Sequence, residues 1–133
     1  MSDIIPFIRP EEISDDYTIT STVIKHALDN IGLNKEDIES VCCIYATSPF
    51  ITSKDIQAGL VKLESGNWDY VFSATEYSSS IFRAFKILEN DGIEMFDSKN
   101  FLKRSQDLPE AYHDAAQFYW APASSWTEEK AIF

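Results

Sequence analysis

Positive charge is scarce in this chain: 11 Lys and Arg stand against 22 Asp and Glu, a formal net charge of −11 over 133 residues. Such a surface repels a nucleic-acid backbone and an anionic membrane alike, so neither is expected as a partner, although a free nucleotide can still be held by a few local cations. Long apolar runs are missing as well. None approaches the roughly 20 residues of a membrane helix, and the N-terminus has no basic-then-apolar secretory pattern, so a soluble cytoplasmic protein is expected. The only cysteines, Cys42 and Cys43, are adjacent. In a strand their side chains leave opposite faces and cannot easily bridge; they read as buried structural thiols, since no second Cys or His pair lies at metal-ligand spacing. Glycine is limited to positions 32, 59, 66 and 92, and none of these opens a phosphate-cradling loop.

The length suits one domain with a single core. Met1 to Pro10 reads as an extended segment, because Pro6 and Pro10 exclude a helix, and Glu11 to Thr18 as an acidic loop. Thr20 or Ser21 can cap a helix in which Val23, Ile24, Ala27, Leu28 and Ile31 recur at helical spacing until Gly32. After a charged connector, Val41 to Tyr45 is a continuous apolar run of strand length, of the kind found in parallel sheets covered on both faces. Thr52 or Ser53 can cap a second helix carrying Ile56, Leu60, Val61 and Leu63, and Asp69 to Thr75 gives a second strand, completing a strand-helix-strand unit. Phe82 to Leu88, the turn Asn90-Asp91-Gly92 and Ile93 to Phe96 predict a hairpin, whose exposed edge a second subunit would cover. Ala123 to Ala131 reads as the start of a helix with Ser124 or Ser125 as cap and Trp126 anchored.

Arg104 to Trp120, RSQDLPEAYHDAAQFYW, is too polar and too aromatic for a plain core element. A loop that delivers ring edges and carboxylates to a ligand, followed by a short strand from Gln117 to Trp120, accounts for the mixture. Ligands of open parallel sheets bind beyond the carboxyl ends of strands, and Tyr45 to Pro49 stands at such an end; the hydroxyls of Tyr45, Thr47 and Ser48 suit a sugar or its carboxylate. As an isolated pattern, Thr47-Ser48-Pro49 is only a helix-start turn. Arg9 before its acidic loop is by itself a surface ion pair of small worth. His113 is a candidate general base by residue type but has no nucleophile partner in the sequence, and His26 reads as a surface or boundary residue.

Four stretches in the same order resemble the acylneuraminate cytidylyltransferases, and among them the pseudaminic acid enzymes: Pro6 to Pro10 with Asp15 to Thr18, Val41 to Phe50, Asp69 to Glu76, and Arg104 to Trp120. The resemblance implies an α/β fold, a partial Rossmann-like nucleotidyltransferase of three layers with a mixed, mostly parallel sheet, carrying a projecting β-hairpin arm at about residues 77 to 103 through which a homodimer forms. It implies CTP and a nonulosonic acid as substrates, Arg9, Thr20 and Ser21 on the nucleotide, and Tyr45, Thr47 and Ser48 in the sugar loop, where Ala46 replaces the usual proline. Arg83 and Lys86 correspond to cations that reach the anionic sugar; without the resemblance they pair with acids such as Glu89 or Glu94. Gln106, Tyr112, Asp114, Gln117, Phe118 and Tyr119 form the sugar-site wall, with rings against apolar sugar faces and polar groups on its substituents. His113-Asp114 in place of Asn-Gly favours pseudaminic acid, and Ala116 stands where glycine is usual.

Cytidylyl transfer also needs a phosphate cradle and a divalent cation, Mg2+ in the complete enzyme. In the family a Gly-rich N-terminal loop and a C-terminal Asp pair supply them, and neither pattern is found in this sequence. Asp15-Asp16 reads as a solvated or capping pair rather than a replacement metal site. The expectation is therefore a single partial domain over residues 1 to 133, the middle of a pseudaminic acid cytidylyltransferase, inactive alone. Two alternatives stay open: CMP-sialic or CMP-legionaminic acid synthesis, and a non-catalytic sugar-binding or dimerising module.

Overall fold

The computed structural model describes residues 7–133, with the side chain of Lys35 set aside. The extended segment expected for Met1 to Pro10 falls mainly on residues 1–6, outside the described residues. The chain divides into two compact units, residues 1–73 with 116–133, and residues 74–115.

The first unit contains helices α1 (Thr20–Asn30), α2 (Ser53–Glu64) and α3 (Ala123–Thr127). They accompany a three-stranded sheet of β1 (Ser40–Ile44), β2 (Val71–Glu76) and β5 (Tyr112–Pro122) in the order β1-β5-β2, with both β2 and β5 extending into residues of the second unit. The fold is thus α/β. β1 pairs antiparallel with β5, Cys42 opposite Trp120 and Cys43 opposite Tyr119. The two strands of the expected strand-helix-strand unit, β1 and β2, are therefore not neighbours: β5, much longer than the expected Gln117 to Trp120, lies between them. Phe118, Tyr119 and Ala121 of β5 are all buried, which suits a central strand.

Alternation along β5 divides the aromatics between two faces. Tyr119 and Ala121 join Leu28 of α1 and Trp126 of α3 in the main core, with Val41, Tyr70 and Phe72 packed around them. Phe118 and Trp120 face α2, where Gly59 and Leu63 are buried and the Trp120 indole donates to the Ile56 carbonyl at 2.9 Å. Val61, expected on the apolar face of α2, is 65% exposed. It lies two residues from Gly59, a spacing that places the two on different sides of a helix.

Capping follows the sequence at one helix and departs from it at two. Thr52 and Asp55 close a reciprocal capping box at the start of α2. The residue before α1 is Ile19, without a side-chain cap, and Thr20 is already helical; its hydroxyl meets Tyr45 instead. α3 starts after Pro122, also without a side-chain cap, so Ser124 and Ser125 are not caps. Trp126 is fully buried, as expected, and its indole donates to the Val41 carbonyl at 3.2 Å. Beyond α3 the chain is tied back onto α1: Glu129 accepts from Thr22 at 2.6 Å and from Lys25 at 2.9 Å.

The second unit carries strands β3 (Phe85–Ile87) and β4 (Ile93–Met95), paired antiparallel around the Asn90-Asp91-Gly92 turn, in which Asp91 has φ 60°. The first strand is shorter than the sequence suggests because residues 81 to 83 form a 3-10 turn.

Candidate functional site

Five of the residues singled out in the sequence meet in the first unit. The Tyr45 hydroxyl, just past β1, lies 2.8 Å from that of Thr20. Its ring packs against Tyr119 with centroids 5.3 Å apart. The carbonyl of Gln117 accepts both the Tyr45 amide and the Ser48 hydroxyl, each at 3.0 Å. The turn after β1 is therefore pinned to β5 by two hydrogen bonds on one acceptor, and the two hydroxyl groups of Thr20 and Tyr45 are oriented by each other.

β5 is irregular at Ala116, one residue before this acceptor. The φ of Ala116 is 50°, in the left-handed region, and the following amide of Gln117 donates to Ser73 Oγ at 3.2 Å. The glycine-to-alanine departure noted in the sequence therefore falls on a position whose backbone favours glycine. Ser73 was not singled out beforehand, since a serine inside an apolar strand carries no signal of its partner.

The other candidates are distributed differently. Ser21 is buried, while Thr47 is exposed. Arg9 donates from Nε to Ser14 Oγ at 3.2 Å, a local contact on the surface. Phe118 and Tyr119 are only 6% and 3% exposed, so both rings belong to the core and support the site from behind. Arg83, Lys86, Gln106, Tyr112 and Asp114 belong to the second unit. There Lys86 pairs with Glu94 at 2.8 Å, one of the two acids foreseen for the basic pair, and Arg83 reaches Ser105 Oγ at 3.4 Å. Tyr112 donates to Glu110 at 3.0 Å and approaches Glu76 at 3.5 Å; the Glu110 hydrogen bond and the two negative charges raise its pKa.

Asp15 is engaged locally. Its carboxylate accepts the amides of Tyr17 at 2.8 Å and Thr18 at 2.6 Å and the Thr18 hydroxyl at 2.9 Å, and these bonds lower its pKa. Among the described residues no three His, Cys, Asp or Glu side chains converge in a way that suits a metal ion. No described helix is long and apolar enough to cross a membrane.

No protein-family model matches the chain. It is 38% identical over 128 residues to the pseudaminic acid cytidylyltransferase of Campylobacter jejuni serotype O:2, a match that covers 96% of this chain and 55% of that protein. The enzyme of the same name from serotype O:23/36 is 37% identical over the same length. A Helicobacter pylori protein named pseudaminic acid cytidylyltransferase and UDP-2,4-diacetamido-2,4,6-trideoxy-beta-L-altropyranose hydrolase is 34% identical over 127 residues, which are 95% of this chain and 24% of that one. The chain spans about half the length of the Campylobacter relatives it matches. Over nearly all of its own length it is a homologue of the pseudaminic acid cytidylyltransferases.

Proposed function

We propose that the chain is the central part of a CTP-dependent cytidylyltransferase that converts a nonulosonic acid, pseudaminic acid, into its CMP-sugar with release of pyrophosphate. The observation that carries this reading is identity of 34–38% to proteins of that name over 95–96% of the chain. In this reading the finer fold is the mostly parallel nucleotidyltransferase sheet. Arg9, Thr20 and Ser21 serve the nucleotide, and Tyr45, Thr47 and Ser48 present the sugar. The role of Tyr119 and Phe118 is to set the angle of the Tyr45 ring and of β5 rather than to touch the ligand.

A homodimer through the β3–β4 hairpin belongs to the same proposal. It is supported by exposed apolar residues on both hairpin strands, Phe85, Ile87 and Ile93, which are 53%, 73% and 65% exposed. The described acids do not form a metal centre, with Asp15 engaged by its own turn, so they do not fit the Mg2+ expected for the complete enzyme.

The test is pyrophosphate release by the longest open reading frame that contains these residues, supplied with CTP and, in turn, pseudaminic, legionaminic and N-acetylneuraminic acid. Release with pseudaminic acid alone supports the reading. Preference for either other sugar would reassign the specificity, and no release with any of them would overturn it.

A further inference from the structure

The first unit carries a groove away from Thr20 and Tyr45. It lies between the last turns of α1, the residues that lead into β1 and the start of α3. It encloses about 520 Å³ and is lined by Leu28, Glu36, Ile38, Glu39, Ala123 and Thr127, among others. The Ala123 amide donates to the Glu39 carbonyl at 3.0 Å and so fastens two of the walls together. Glu39 precedes β1 and Tyr45 follows it, with a strand roughly 13 Å long between them. Leu28 stands eight residues along α1 from Thr20, about 12 Å. The groove is therefore separate from the cluster around Tyr45.

Its floor and its rim differ in chemistry. Leu28 is buried, and Ile38, Ala123 and Thr127 are half-buried. The Thr127 hydroxyl is already committed, donating to the Ser124 carbonyl at 3.1 Å, so the floor is largely apolar. Ile31, three positions beyond Leu28 on the same face of the helix, is 41% exposed and lengthens the apolar strip. Glu36 and Glu39 are exposed, and neither carboxylate has an ion-pair partner among the described residues. No described lysine or arginine lines the groove.

Charge selects the occupant. A chain of net charge −11, with two further open carboxylates at this rim, attracts a cationic partner and repels nucleic acid and anionic lipid. A bare cation gains nothing from the apolar floor, and an uncharged apolar segment gains nothing from the rim. A peptide segment that sets leucine-like side chains between lysines or arginines satisfies both. We propose that this groove docks such a basic, apolar segment of a partner protein, its apolar side chains resting on Leu28 and Ile38 and its cations meeting Glu36 and Glu39. This surface goes beyond the cytidylyltransferase reading and does not depend on it.

The test is fluorescence anisotropy of the full chain with the labelled peptide Lys-Arg-Leu-Leu-Lys-Arg, beside one peptide with serine for leucine and one with glutamate for every cation. The leucine peptide is expected to bind at low salt and more weakly as salt rises, the serine peptide more weakly still, and the glutamate peptide not at all. Glu36→Gln with Glu39→Gln is expected to weaken the leucine peptide about threefold to tenfold, the worth of two exposed ion pairs. Both positions are exposed, so the melting temperature should hold. Glu11→Gln with Glu12→Gln removes the same charge elsewhere and should change binding less than about twofold. An equal loss in that control would reduce the effect to net charge and overturn the docking site. Equal binding of the serine peptide would do the same, as would failure of the leucine peptide to bind. Leu102, 90% exposed beside Lys103, gives the chain a segment of this kind of its own. If light scattering shows an oligomer that the Glu36→Gln, Glu39→Gln chain cannot form, the occupant is a second copy and the foreign partner is refuted.

Discussion

Gly59 fixes how closely α2 approaches the sheet, and Gly59→Ala measures that approach. A methyl group built on Gly59 lies 2.7 Å from Phe118 Cε2 and 2.7 Å from Trp120 Cδ1, well inside van der Waals contact. Neither ring can yield cheaply. Phe118 is 6% exposed, and the Trp120 indole is tethered to the Ile56 carbonyl of the same helix. Overpacking of this kind costs about 1–3 kcal/mol. Alanine in a helix returns about 1 kcal/mol relative to glycine. With both rings held, the upper part of the range applies, and a net loss of about 1–2 kcal/mol is expected, or a fall of roughly 3–6 °C in melting temperature for a chain of this size. Gly66→Ala is the control: its Cβ meets Trp68 Nε1 at 2.8 Å, but Trp68 is 46% exposed and can turn aside. Urea and thermal unfolding of both variants check the comparison. A Gly59→Ala chain as stable as the native one would show that α2 is not seated on these rings and would refute the packing described for that face.

Ala116→Gly is expected to stabilise the chain by about 0.5–1 kcal/mol, since alanine at φ 50° is strained and glycine is not; a lower urea midpoint would contradict the left-handed turn in β5. Cys42, pushed up to about 11 by burial and by its neighbour Cys43, should react with iodoacetamide at pH 8 on the order of a hundredfold more slowly than a free cysteine, whose pKa is about 8.5. Four carboxyls hold pKa values below the ordinary range near about 4: Asp69 through its hydrogen bond from Lys130, Glu129 through Thr22 and then Lys25, Asp55 through Thr52, and Asp15 through Tyr17 and Thr18. The unfolded chain therefore binds protons first as pH falls. The stability these groups contribute is fully present above about pH 5 and is lost as pH drops through their lowered values. Urea midpoints at pH 7 and pH 3 should show that loss, and Glu129→Gln should reduce it; a midpoint that does not fall on acidification would contradict the assignment.

The elements of the fold were legible where a local signal had one meaning. The period of Ile24, Leu28 and their neighbours gives α1, the Thr52–Asp55 spacing gives the α2 cap, and Asn90-Asp91-Gly92 gives the β3–β4 turn. Where the signal was shared between meanings it failed. Thr20 has the side chain of a cap, yet its hydroxyl is engaged 25 positions away by Tyr45, a partner that only the folded chain supplies. An apolar run such as Val41 to Tyr45 says that both faces are covered and is silent on whether the neighbouring strand is parallel or antiparallel; here that neighbour, β5, is antiparallel.

The candidate site divides along the same physical line. The hydroxyls of Thr20, Tyr45 and Ser48 and the backbone carbonyl of Gln117, all residues named from the sequence, do come together, at the start of α1, the turn after β1 and the middle of β5. Their aromatic neighbours were harder to place. A ring next to polar residues in sequence reads as a ligand platform, but in a strand its direction is set by alternation, and Phe118 and Tyr119 point into opposite packed faces. In the proposed reading their effect on a ligand passes through position: Tyr119 bears on the Tyr45 ring, and Phe118 seats β5 against Gly59. A substitution at Tyr119 should therefore disturb stability and ligand affinity together, whereas Thr47, exposed and outside this contact chain, should alter affinity alone.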